Sequence, residues 1–360
     1  MMRRFLFLLL ILTISYPVYA AGIVLSPPKF EFQADPGQEI YDKIKITNNN
    51  EKSILLNSEV QDFVASGETG QPAFVNPEEN NSGLSLANWI IVNNKELIEI
   101  KPGEKKEIPF IIKVPDNAEP GGKYGTIFFH PPSEGGQVAV IQKIGSLILV
   151  RVNGEIVEDG NLDKFGLYDP DIKGEELSSA SEKTFYEKVP VNFSVRFENT
   201  GNVHVKPTGK IEIFNIFGKQ VSPVGILSIL DGNGVELKKE IINYIPFNNG
   251  RGNVLAKSFR KFDVSWDGIP FWYREDNGSK TIKYKTFLVG YYKANLELVG
   301  AKGQTFQKSV NFIIFPWKEI LGGSLGLIIF LFIIIKYRSW SRKRLAEQIR
   351  KQMEKEKKES

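Results

Sequence analysis

Side chains that commonly do chemistry are scarce in this chain. Its 360 residues include two histidines and no cysteine. That composition removes the thiolate nucleophile, the thiolate metal site and the disulfide. A Ser-His-Asp arrangement would have to recruit His130 or His204 as its base. His130 follows Phe128-Phe129 and precedes Pro131-Pro132, at a strand end. His204 closes Asn199-Thr200-Gly201-Asn202-Val203-His204, a turn leading into a strand. No G-x-S-x-G, H-E-x-x-H or P-loop pattern occurs beside either. Both read as structural or turn histidines. Paired carboxylates could act as a glycosidase acid and base. Glu78-Glu79, Glu175-Glu176 and Asp267 all sit in polar, loop-like contexts, and 42 acidic residues give no pair distinction. Asp169-Pro170-Asp171 matches only half of a calcium loop. The expectation is a protein that is not an enzyme and uses no cofactor and no metal.

Recognition has more to work with. Trp266-Asp267-Gly268-Ile269-Pro270-Phe271-Trp272-Tyr273 concentrates aromatics in a Gly/Pro-broken stretch. Such a loop can stack on sugar rings or anchor a partner, which makes Trp266, Phe271, Trp272 and Tyr273 candidate contact residues. The competing reading puts Trp266 in a core and the rest over the end of a sandwich. A second contact surface is Gln71-Pro72-Ala73-Phe74 with the loop to Leu86.

Two apolar stretches bracket these residues. Arg3 and Arg4 precede an apolar run from Phe5 to Ile14, with Val18-Tyr19-Ala20 before Ala21. This is the pattern of a secretory signal cleaved after Ala20, and its apolar core is too short to span a bilayer. The other reading is an uncleaved signal anchor. Near the other end, Trp317 to Tyr337 covers 21 residues, about 31 Å as a helix. That suits one span, with Trp317 and Tyr337 at the interfaces. From Lys336 onward ten Lys and Arg face four Glu, a net of +6. Such a tail is retained in the cytoplasm, so the chain is expected to be single-pass in the plasma membrane, N-terminus out and C-terminus in. Leu345, Ile349 and Met353 recur at four-residue spacing. The tail therefore reads either as a helix on an anionic inner leaflet or as an extension of the span. The whole chain carries +4, so the basic excess belongs to the two ends and leaves no basic surface for nucleic acid.

Between the ends the pattern is β. Val191 to Glu198 alternates over eight positions and Lys43 to Thr47 over five. A segment of period two buries one face as a strand and cannot form an apolar helical stripe. Turn signals such as Asp35-Pro36-Gly37, Lys101-Pro102-Gly103 and Asn248-Asn249-Gly250 separate the runs. Short strands with regular turns argue for antiparallel sandwiches, and this length calls for two. The expected fold class is an all-β ectodomain of two tandem immunoglobulin-like antiparallel β-sandwiches followed by one transmembrane α-helix. Expected bounds are 1–20 for the signal, 21–152 for the first sandwich, 153–188 for a polar connector able to carry an early strand of the second sandwich, 189–315 for the second sandwich, 316–337 for the span and 338–360 for the basic tail. Gly122-Lys123-Tyr124 and Gly290-Tyr291-Tyr292 each precede a late strand, where such sandwiches often bond a tyrosine hydroxyl to nearby backbone.

In order and topology the chain resembles the WxL-interacting proteins of Gram-positive bacteria. The resemblance rests on Leu25-Ser26-Pro27-Pro28, Asp35-Pro36-Gly37-Gln38, Ile44-Lys45-Ile46-Thr47-Asn48 and Pro120-Gly121-Gly122-Lys123-Tyr124-Gly125. In the second half it uses Phe197 to His204, Gly209-Lys210-Ile211, Gly290-Tyr291-Tyr292 and Phe312 to Trp317. It implies binding: a first domain for peptidoglycan and a second for partner proteins. The expected function is a non-enzymatic, membrane-anchored surface scaffold whose partners are cell-wall polymer, surface proteins or both. The alternative is an envelope assembly chaperone that completes another protein's sheet with a free edge, such as Val138 to Val152.

Overall fold

The computed structural model describes residues 22–80, 82–92, 97–132, 143–168, 184–222, 225–230, 236–276, 279–285 and 287–359. The signal stretch lies outside the described residues, as do Asp169-Pro170-Asp171 and Glu175-Glu176.

The chain forms β-sandwich-like sheets and ends in a single apolar helix. The first ten strands are β1 (Ile23–Ser26), β2 (Lys29–Ala34), β3 (Glu39–Asn48), β4 (Ile54–Ser66), β5 (Gln71–Val75), β6 (Ile90–Val92), β7 (Ile98–Ile100), β8 (Lys105–Lys113), β9 (Gly121–His130) and β10 (Ile144–Val152). One sheet has the order β1-β3-β8-β6. The other runs β2-β10-β9-β4-β5, with β7 paired to β4. Alternation explains the packing. Ile44 and Ile46 of β3 and Ile108, Phe110 and Ile112 of β8 point inward, against Phe30, Leu56, Ile127, Phe129, Ile148 and Val150 of the facing sheet. Burying a side chain of this size contributes about 1.5–3 kcal/mol.

The remaining strands form a second pair of sheets with its own apolar cluster. They are β11 (Gly160–Leu167), β12 (Phe185–Tyr186), β13 (Val191–Asn199), β14 (Thr208–Asn215), β15 (Gly225–Leu230), β16 (Glu236–Ile242), β17 (Ile245–Phe247), β18 (Ser258–Trp266), β19 (Ile269–Asp276), β20 (Ser279–Lys285), β21 (Gly290–Val299) and β22 (Thr305–Ile314). Their orders are β11-β13-β18 and β12-β22-β21-β14-β17. The hairpins β15-β16 and β19-β20 pair only with themselves.

The stretch 153–188, read as a connector able to carry an early strand of the second sandwich, holds Gly160–Leu167 along β13 and Phe185–Tyr186 along β22. Two expectations need correction. The sheets are not purely antiparallel, because β2 runs parallel to β10 and β12 parallel to β22. Pro27 and Pro28 divide the first extended segment, so β1 joins one sheet and β2 the other. The edge offered as free is also closed from Leu147 to Val152, while Ile144, Gly145 and Ser146 pair with β9 on one side. Val152 to Leu147 pairs with β2 on one side and with β9 on the other, and residues 138–142 lie outside the described residues.

The C-terminal helix α1 (Trp317–Glu359) is one uninterrupted element of 43 residues. Its apolar part is wholly unburied in this structure, so it is no core helix. Of the two readings of the tail, the helix runs straight on.

Candidate functional site

Two sequence motifs that seemed to be ordinary turns meet at the junction between the sheet pairs. Asn199 to His204 leaves β13 as a turn held from within. The buried Asn199 amide donates to the carbonyls of Val203, Val254 and Leu255 at 2.7, 2.9 and 3.0 Å, and its oxygen accepts from the Gly201 amide at 3.0 Å. Asn202 accepts from the Val157 amide at 2.9 Å and donates to the Glu155 carbonyl at 2.9 Å. The turn so built presents the Asn202 carbonyl to the first unit, where the Gly122 amide donates to it at 2.7 Å. Gly121 has φ +130°, and a Cβ there would stand 2.8 Å from that same carbonyl. Only glycine fits both demands.

Tyr124 completes the contact. Its hydroxyl was expected to bond nearby backbone. It instead accepts from the Ala256 amide, 132 residues away, at 3.2 Å, and from the His204 amide. Burial, the larger influence, pushes its phenol well above the usual range. Phe63, Leu149 and Ala256 pack around it, with Leu84, Leu147 and Leu255 at the margin. The ring of His204 meets that of Tyr124 edge-on at 5.9 Å. Around this patch run ion pairs. Arg196 binds Glu68 at 2.9 and 2.5 Å and Asp163 at 2.7 Å, and stacks over Phe259 at 3.8 Å. Lys261 donates its amide to the Glu68 carbonyl at 2.6 Å. Glu31 accepts from Lys206 and from Asn253. Burial alone would raise the Glu31 carboxyl, but hydrogen bonds from Lys206, Lys29 and Asn253 outweigh it and hold it at about 2.

A cleft of about 160 Å³ opens beside this junction. Phe63, Leu147, Leu149 and Leu255 give it an apolar lining, and Lys29 and Arg260 bring cations. The starts of β5 and β18 border it, and each is the edge strand of its sheet. Arg260 donates to the Asn253 carbonyl at 2.7 Å, while its Nε is buried without a hydrogen-bond partner among the described residues. Gly70, at φ +76°, lies so close to Arg260 that a Cβ would strike the guanidinium.

His204 gives the junction a pH response. Desolvation dominates and lowers its imidazole to about 4; Glu31 opposes that, while Lys206, Lys29 and Arg151 add to it. Its Nδ1 is buried without a partner. A histidine lowered on folding binds its proton in the unfolded chain first, so its contribution is complete above about 6.5 and is lost as pH falls toward 4. We expect urea unfolding to weaken by about 2 kcal/mol between pH 7 and pH 5. In His204→Gln most of that slope should vanish; an unchanged slope would contradict this role.

The candidate aromatics are not gathered here. Trp266 is fully buried, against Tyr292 at 5.3 Å and Phe312 at 5.8 Å, so it packs in the core. Phe271, Trp272 and Tyr273 belong to strand β19, not to a loop. Gln71 and Pro72 do line the cleft. The Tyr124–His204 contact carried no local signal, because its two residues are distant in sequence.

No family model and no curated protein sequence matches the chain. Among solved structures it is similar to the Class 5 fimbriae chaperone CfaA, with 11% identity over 82% of this chain and 100% of that chain, at a TM-score of 0.33. It is similar to the Pseudomonas aeruginosa CupB2 chaperone, with 9% identity over 81% and 100%, at 0.32. It is also similar to the E. coli chaperone DraB, with 10% identity over 81% and 97%, at 0.30. The expectation of a scaffold for cell-wall polymer is corrected here: these solved structures are fimbrial chaperones and none of the three is a wall-binding protein.

Proposed function

We propose that this chain is a membrane-anchored, non-enzymatic assembly chaperone of the cell envelope that holds an extended segment of client polypeptide at the inter-unit cleft. Each sheet pair is read as an immunoglobulin-like sandwich, with the first strand of the first pair shared between its sheets. Helix α1 is read as the single span, with the ectodomain outside and the basic tail inside. The order of these parts is what the resemblance to the WxL-interacting proteins implies, and it is kept as a proposal about architecture.

The observation that carries the reading is the cleft itself. It joins an apolar lining, two cations and two edge strands at one place. An extended chain suits that combination: its backbone bonds to an edge and its side chains alternate into a pocket. The edges differ. Pro72 removes a donor from β5, a device that blunts edge pairing. Lys261 of β18 already donates to Glu68. Main-chain pairing is therefore short, and capture of side chains in the cleft carries most of the selectivity. An apolar residue beside an acidic one fits the lining and its cations.

The test uses full-length protein in lipid nanodiscs and a urea-unfolded, β-rich exported polypeptide, with aggregation followed by light scattering. Equimolar protein should delay aggregation. Gln71→Trp, at an exposed position on the cleft, should lose the delay while its unfolding midpoint is unchanged. Equal protection by both proteins, or none by either, would overturn the proposal.

A further inference from the structure

The outer face of the sheet β12-β22-β21-β14-β17 changes chemistry along its length. On β22 the outward residues run Thr305, Gln307, Ser309 and Asn311, then Ile313 and Phe315. On β21, read the opposite way, they run Val299, Glu297, Asn295 and Lys293, then Tyr291, so that Val299 is one apolar residue within the otherwise polar part. The change falls at the same level on both strands, because Tyr291 pairs with Ile313. Phe185 pairs with Ile313 from the other side. These three neighbours are 45%, 43% and 41% exposed. The inner face at that level is already filled by Tyr186, Tyr292, Phe312 and Ile314. This end of the sheet is therefore apolar on both faces, and the outer one has no cover among the described residues.

The loops at that end repeat the pattern. Asn215 pairs with Tyr292, so the turn that follows β14 lies at this level, and its tip residue Phe217 is 90% exposed. Phe287, just before β21, is 61% exposed. The β19-β20 hairpin also starts here, since Gly268 lies against Lys285 and Leu288. Its strand β19 includes Phe271, Trp272 and Tyr273.

What lies next to this end is the start of α1. Strand β22 finishes at Ile314 and the helix begins at Trp317. The joint is fastened. Phe315 donates its amide to Tyr186 at 2.9 Å, Trp317 donates its indole N–H to Glu187 at 2.8 Å, and Lys318 pairs with Glu187 at 2.8 Å. No free linker separates the sheet from the helix.

We propose that this end of the second unit is a membrane seat: its exposed aromatic and aliphatic residues rest in the headgroup–acyl boundary of the outer leaflet that α1 enters. The inference rests on α1 being a span. Exposed apolar patches of this kind mark interaction surfaces, and aromatic rings favour the interfacial layer. Continuity with the helix selects lipid as the occupant. At about 3.3 Å per residue, Ile313 lies at most some 13 Å from Trp317, a distance the interfacial layer and a modest tilt can cover. The seat would hold the ectodomain at one tilt, with the cleft at a fixed orientation to the membrane.

The absence of native cysteine makes the test direct. Single-cysteine variants Phe217→Cys, Phe287→Cys, Ile313→Cys, Ser309→Cys and Ile328→Cys would be nitroxide-labelled in full-length protein. They would be reconstituted in phosphatidylcholine–phosphatidylglycerol vesicles and probed for collision with oxygen and with a water-soluble nickel chelate. The labels at 217, 287 and 313 should shift toward the lipid-like behaviour of 328, with 309 water-like. Water-like labels at 217, 287 and 313 beside a lipid-like 328 would refute the seat and leave the span intact. A water-like 328 would refute the span, and the seat with it. Labels at 217, 287 and 313 shielded from both reagents would show a protein cover and also overturn the proposal.

Discussion

Replacing Asn199 with alanine should lower the unfolding free energy by about 3–4 kcal/mol. The amide donates to three carbonyls and accepts from one amide in a fully buried setting. Its removal strands several of those groups, at about 1–3 kcal/mol each. The carbonyl of Val254 keeps one bond, from the Val205 amide at 3.0 Å, which holds the sum below its ceiling. The damage should reach the first unit, because the turn presents the Asn202 carbonyl to Gly122. A double-mutant cycle with Tyr124→Phe checks that link. Coupling of about 0.5 kcal/mol or more would be expected for residues of one network, and strict additivity would separate the turn from the junction.

Trp266→Ala should cost about 3–5 kcal/mol, as large-to-small changes at buried aromatics do. The ring touches Tyr292 and Phe312, and Phe312 in turn meets Phe193 at 5.8 Å. Trp266→Phe should lose clearly less. The indole N–H has no hydrogen-bond partner among the described residues, so only volume is given up. Chemical denaturation of the three proteins measures the order. Equal stability of the alanine variant and the parent would place Trp266 at a surface.

Much of the fold was legible because strand periodicity is local. Val191 to Glu198 alternates in sequence and forms β13 in space. The helix was legible from its uncharged run. An early strand within 153–188 was foreseen, but the place of β11 was not, because the register shifts between Leu162 and Lys164 and breaks the period of two. Parallel pairing of β2 with β10 was hidden by the distance between Lys29 and Leu147 in the chain. The cleft was hidden for the same reason: its lining comes from four separate segments. Among the proposed contact residues, Trp266 misled because aromatic density marks a core as well as a surface. The junction motifs were quoted for their order, yet nothing local in Gly121 or Asn202 names the other as its partner.

Hydrogen–deuterium exchange on full-length protein in nanodiscs, with and without a synthetic extended peptide alternating valine and glutamate, tests the cleft as the polypeptide site. Slower exchange confined to residues 70–75 and 252–265 is the expected result. Unchanged exchange there at saturating peptide, or protection at the β1 and β6 edges instead, would contradict it.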